Sequence, residues 1–135
     1  MPSPIVRLIG FSHQIDGSGG PSWPGDVLLL GDRIERLGAG LRDRLPPGLA
    51  RDAVQVIDCR GLAIAPGFID AHTHDDAIVL REPAYLAKLS QGITTVVVNQ
   101  DGRSPWPVSE QRALLEKNGI GPNAMLMVGH GNVRS

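Results

Sequence analysis

Cysteine is almost missing from this chain: Cys59 is the single one in 135 residues, so no internal disulfide framework can form. Its place at the end of the run Val56-Ile57-Asp58-Cys59 favours a buried structural thiol over a ligand or nucleophile. An excess of charge of either sign is missing too, with a formal net charge of -1 and 20% charged residues. Nothing is basic enough to point to nucleic acid, and no charge run reads as a membrane patch. No apolar run approaches the ~20 residues of a membrane-spanning helix. The start, Met1-Pro2-Ser3-Pro4-Ile5-Val6-Arg7, lacks the charged-then-apolar layout of a signal peptide, so a cytoplasmic protein is expected. Aromatic residues are scarce at 4%, whereas 17 Gly and 11 Pro mark many turns.

The first sixty residues read as a small, mainly antiparallel β unit. Residues 5–11 read as a short strand, and the breaker-rich stretch Asp16–Gly25 must be loop. His13 precedes that loop without a partner and is expected at the surface. Asp26–Leu30 and Arg33–Leu37 flank Gly31-Asp32, a two-residue hairpin signal. Residues 41–53, with Pro46-Pro47-Gly48, suggest a surface excursion before a strand over Val54–Asp58.

The pattern changes at Leu62, which divides the chain into a β unit over residues 1–61 and an α/β unit over residues 62–135. Strands are expected over Leu62–His74 (with its active loop), Ile93–Val98 and Ala124–Val128, with helices over about 82–91 and 108–118. Pro83 suits a first helical turn, and Gly92 and Asn118-Gly119 suit helix ends. Ile93-Thr94-Thr95-Val96-Val97-Val98 is β-branched without clean alternation, as in strands of a parallel sheet buried on both faces. Strand starts about thirty residues apart match βα units.

Polar clusters follow each of these strands: Asp70, His72, His74, Asp75 and Asp76, then Asn99-Gln100-Asp101-Gly102, then Gly129-His130-Gly131-Asn132. Strand alternation puts Asp70, His72 and His74 on one face, and two adjacent imidazoles can chelate a divalent metal. Asp101, taken by itself, reads as part of an Asp-Gly turn. His130 reads as a substrate contact, a helper at the metal or a structural histidine. Arg134 pairs with a substrate carboxylate or with surface acids. Asp75 and Asp76 read as loop-ordering or substrate-facing, and Asp70 as a carboxylate that orients an imidazole. Trp106, in Ser104-Pro105-Trp106-Pro107, is expected to pack against a rim rather than line a pocket.

The segment Ala65-Pro66-Gly67-Phe68-Ile69-Asp70-Ala71-His72-Thr73-His74-Asp75-Asp76 resembles the first barrel strand of the amidohydrolase superfamily, and most of all its D-aminoacylase (N-acyl-D-amino-acid deacylase) branch. Gly92–Gly102 is similar to that family's second-strand segment, with Asp101 where the family has a metal-ligating cysteine. Gly129-His130-Gly131 resembles its third-strand segment. The resemblance implies a (β/α)8 barrel behind a small β-rich domain, holding one or two divalent metals, zinc first, on His72, His74 and Asp101. It implies hydrolysis of the amide of an N-acyl-D-amino acid by metal-activated water, with no nucleic acid or membrane partner. Further histidine ligands and a general-base aspartate are implied from later strands. Residues 62–135 hold about three strands where such a barrel takes about 250 residues, so the chain is expected to be the N-terminal part of a longer enzyme, inactive without the remainder. A cyclic amidase of dihydroorotase or hydantoinase type, or a truncated non-catalytic remnant that binds a metal or a partner, are the competing readings.

Overall fold

A computed structural model describes residues 6–135; Ile5, at the start of the first expected strand, lies outside them. The chain divides into two compact units after Pro66. The division falls later than Leu62 because Ala63–Ile64 pairs with the first strand.

The first unit is a five-stranded mixed sheet. It comprises β1 (Val6–Gln14), β2 (Trp23–Leu30), β3 (Arg33–Gly38), β4 (Val54–Asp58) and β5 (Ala63–Ile64), in the order β3-β2-β1-β4 with β5 also on β1. The β2–β3 hairpin turns at Gly31-Asp32, where Gly31 takes φ 64°, a left-handed value that favours glycine. β4 and β5 both run parallel to β1, so the unit is less antiparallel than the sequence suggests. Its core is Val6, Leu8, Leu28, Leu41 and Val54. Asp26 is buried beneath it, with one carboxylate oxygen accepting from the Phe11 backbone N–H at 3.0 Å and the other from that of Leu41 at 2.9 Å. Phe11 sits at φ 64° where the β1–β2 register slips, so Asp26 holds an irregularity that the ladder leaves unbonded. His13 is exposed, and Cys59 is half-buried rather than buried.

The second unit is a three-stranded parallel sheet of β6 (Phe68–Asp70), β7 (Ile93–Val98) and β8 (Asn123–Leu126), with β7 central. Helix α3 (Val108–Asn118) ends at Gly119, φ 74°. A five-residue α4 (His130–Arg134) follows β8. Val79, Tyr85, Val96, Val98 and Leu115 form the core. Gly67 is required by close packing, since a Cβ there would stand 2.0 Å from Thr94 Oγ1.

The structure departs from three of the sequence expectations. In place of one helix over 82–91 there are two single-turn helices, α1 (Ile78–Arg81) and α2 (Leu86–Leu89). Pro83 lies in the break instead of in a first turn. It disfavours helical geometry at the preceding residue, and Glu82 takes φ −123°, ψ 72°. Likewise Leu62–His74 is not one strand. Pro66 separates β5 from β6, and β6 ends at Asp70, so His72 and His74 stand beyond the ladder. Trp106 is 57% exposed rather than packed against a rim.

Candidate metal centre

His72 and His74 leave β6 at its C-terminal end, the end where barrel enzymes carry their chemistry. The backbone between them is tied down at Thr73, whose N–H donates to Val97 O at 3.3 Å and whose side chain is buried. With Thr73 turned inward, the two imidazoles face outward together, ring centroids 5.3 Å apart and edge to face.

Asp101 comes to them from the end of β7. Its Oδ2 lies 3.3 Å from His72 Nε2 and 3.2 Å from His74 Nε2. One donor atom from each residue falls within 4.8 Å of the others, and all three side chains are exposed. Two imidazole nitrogens and a carboxylate oxygen, converging and open to one side, suit a divalent metal of zinc type. Asp101 takes φ 56°, a left-handed conformation that Asp tolerates better than most residues.

The other residues singled out in the sequence divide between the protein's own network and the surface. Asp70 does not reach an imidazole ring. Its Oδ2 accepts from Lys88 Nζ at 2.6 Å, and its Oδ1 from the His72 backbone N–H at 3.3 Å. The lysine hydrogen bond first, then the backbone one, holds the Asp70 carboxyl below the usual carboxylate range. Asp75 accepts hydrogen bonds from the Thr73 and Tyr85 hydroxyls and pairs with Lys88 at 3.2 Å. Burial pushes its carboxyl up, but these bonds outweigh burial and bring it below its ordinary value. The same cluster raises Lys88, chiefly through Asp70, and raises Tyr85, chiefly through burial. Asp76 Oδ1 accepts from the Asn99 backbone N–H at 2.6 Å.

His130 and Arg134 are exposed on α4, and His130 is not in the three-residue cluster. The backbone around His130 docks closely on the Asp101 turn. Gly131 N–H donates to Gly102 O at 2.6 Å, and Asn132 Oδ1 accepts from Ser104 N at 2.8 Å.

Sequence reasoning passed over three residues, Tyr85, Lys88 and Gln111, and named Gln100 only as a member of the second polar cluster. Tyr85 and Lys88 sit where a longer helix is expected, so their spacing gave no direction. Gln111 did carry a signal, since Val108, Gln111 and Leu115 fall at i, i+3 and i+7 on one helix face. A polar side chain on an apolar stripe needs a buried partner.

A model of the amidohydrolase family matches residues 55–132. The chain is 48% identical over 121 residues to an N-acyl-D-aspartate deacylase of Alcaligenes xylosoxydans xylosoxydans, covering 90% of this chain and 23% of that protein. It is 34% identical over 155 residues to a D-aminoacylase of the same organism, covering 98% and 30%. Among solved structures it superposes with a TM-score of 0.79 and 32% identity on an N-acyl-D-glutamate deacylase from Bordetella bronchiseptica, complexed with zinc and a phosphonate mimic of the tetrahedral intermediate, covering 95% and 30%. A D-aminoacylase described by its binuclear metal centre gives the same TM-score and identity, covering 98% and 31%. The chain thus spans about a quarter to a third of the length of these relatives. The fold is the opening of a metal-dependent-hydrolase (β/α)8 barrel behind a β-rich unit, and the chain belongs to the amidohydrolase family.

Proposed function

We propose that this chain supplies part of the site for metal-dependent hydrolysis of a linear amide C–N bond, the deacylation of an N-acyl-D-amino acid. The observation that carries the reading is the convergence of His72, His74 and Asp101 donor atoms within 4.8 Å, just past the ends of two parallel strands, in a chain similar to several deacylases. Zinc is the metal favoured by two imidazoles and a carboxylate. When bound, such a metal acts as a Lewis acid toward the amide carbonyl and lowers the pKa of water.

The chain's own residues do the holding. The imidazoles of His72 and His74 and the carboxylate of Asp101 are the ligands. The Asp70–Lys88–Asp75 cluster fixes the backbone that carries the histidines, and Asp75 and Asp76 order the loop. His130 and Arg134 are assigned to the substrate side, where a guanidinium suits a substrate carboxylate. The unit over Gly67–Ser135 is read as the N-terminal part of the barrel, and the remaining strands are required for turnover. Among the described residues no helix is long and apolar enough to cross a membrane, and a cytoplasmic enzyme on a small-molecule substrate is the reading adopted.

The test is zinc content and hydrolysis by the full-length protein, with N-acetyl-D-aspartate, N-acetyl-D-glutamate, N-acetyl-D-leucine, their L isomers and dihydroorotate as substrates. Cleavage of D-configured linear amides, lost with zinc in His74→Ala, is the expected result. Cleavage of the cyclic amide alone, or none with zinc bound, would overturn it.

A further inference from the structure

Asn99 and Gln111 are each only 2% exposed, and both carry amides that must find partners when buried. They find each other. Asn99 Nδ2 donates to Gln111 Oε1 at 2.8 Å, and Gln111 Nε2 donates back to Asn99 Oδ1 at 3.2 Å.

The pair is connected in three further directions. Asn99 Nδ2 also donates to Met127 O at 2.8 Å, just past the end of β8. The Asn99 backbone N–H donates to Asp76 Oδ1 at 2.6 Å, in the loop that follows the paired histidines. Gln111 Nε2 reaches Asp76 O at 3.5 Å. Asn99 therefore ties the end of β7 to the end of β8 through its side-chain amide and to the loop after β6 through its backbone N–H, and α3 supplies the amide's partner. Asn99 takes φ 72°, so the chain leaves β7 with a left-handed step.

Asp101 stands two residues beyond that step. Between them, Gln100 Nε2 donates to Ala71 O at 3.1 Å, next to His72. Behind Asp101, Gly102 O accepts from Gly131 N–H at 2.6 Å. The Asp101 side chain itself is exposed, with only the two imidazoles as partners among the described residues, so its position is set by the backbone around it.

We infer that Asn99 and Gln111 are positioning residues: their buried amide pair fixes the left-handed exit from β7 and thereby aims Asp101 at the space before His72 and His74. This rests on the metal reading of those three side chains. It goes beyond that reading by assigning the ligand's geometry to a glutamine on a helix that does not touch the site.

The experiment compares four variants of the full-length protein. Zinc affinity is measured by competition with a chelator, the absorption spectrum is recorded with cobalt at saturation, and metal-free melting temperature is measured alongside. Gln111→Met keeps the volume and removes the amide. It should weaken zinc about tenfold or more, the range seen when groups supporting metal ligands are lost, and change the cobalt spectrum. Leu115→Ala, on the same helix, should lower the melting temperature at least as much and leave affinity and spectrum at wild-type values. Gln100→Ala, a half-buried position that tolerates truncation, should weaken zinc in the same direction as Gln111→Met and keeps the test open if that variant does not fold. Asp101→Asn reports on the site itself. If Asp101→Asn weakens zinc while Gln111→Met and Gln100→Ala do not, the positioning role is overturned and the metal site stands. If affinity follows melting temperature across all variants, Leu115→Ala included, the amides are only structural and the inference fails. If Asp101→Asn binds zinc as the wild type does, the metal reading and the inference both fall.

Discussion

The backbone N–H of Gly131 donates to the carbonyl oxygen of Gly102 at 2.6 Å, and this contact leaves no room for a side chain. A Cβ on Gly131 would stand 2.7 Å from that oxygen. Gly131→Ala must therefore push the β8 loop off the Asp101 turn, at about 1–3 kcal/mol of overpacking strain. Melting of the metal-free protein is expected to show that loss, and zinc affinity is expected to fall with it. Gly119→Ala, where a Cβ meets nothing within 4 Å, is the comparison; it carries left-handed strain only and should leave zinc affinity unchanged.

Lys88 stands between two carboxylates, 2.6 Å from Asp70 and 3.2 Å from Asp75. Lys88→Met leaves both half-buried acids without their cation and is expected to cost about 1–3 kcal/mol in urea unfolding at neutral pH.

That cost should depend on pH in a defined direction. Asp70 and Asp75 are both held below the usual carboxylate range in the folded protein. Stability from a lowered carboxyl is fully present above its unfolded pKa and is lost as pH falls through the folded one. The gap between wild type and Lys88→Met is therefore expected to be constant between about pH 5 and pH 9 and to shrink below about pH 4. Metal-free unfolding curves at several pH values check this. A gap that widens in acid would contradict the assignment.

Asp26 offers a test in the other unit. Its two oxygens accept from Phe11 N and Leu41 N, and Asp26→Ala leaves two donors unbonded at about 1–3 kcal/mol each. Asp26→Asn keeps one acceptor and should fall between. Urea unfolding ranks the three proteins.

Much of this arrangement was legible in the sequence where local chemistry decides it. Gly31-Asp32 between apolar runs marked a hairpin, the β-branched run at Ile93–Val98 marked the central parallel strand, and Val108–Asn118 carried a helix ended by Gly119. The paired histidines and Asp101 were legible through their frame, each cluster following an apolar strand. What escaped was set by tertiary contacts or by a single proline. Pro83 broke a periodic stretch into two turns, and that concealed Tyr85 and Lys88 as partners of Asp75. Asp70 alternates with the histidines in sequence, yet Lys88 draws its carboxylate away from the rings. Trp106 had no local feature to separate packing from exposure.

The role of Asp101 as a metal ligand is tested most directly by a single exchange. Asp101→Cys places a thiolate where the carboxylate stands, and zinc X-ray absorption distinguishes sulfur from oxygen and nitrogen. Bound zinc in the full-length variant is predicted to show a sulfur neighbour at about 2.3 Å, absent from the wild type. A zinc shell of nitrogen and oxygen alone in both proteins would contradict it.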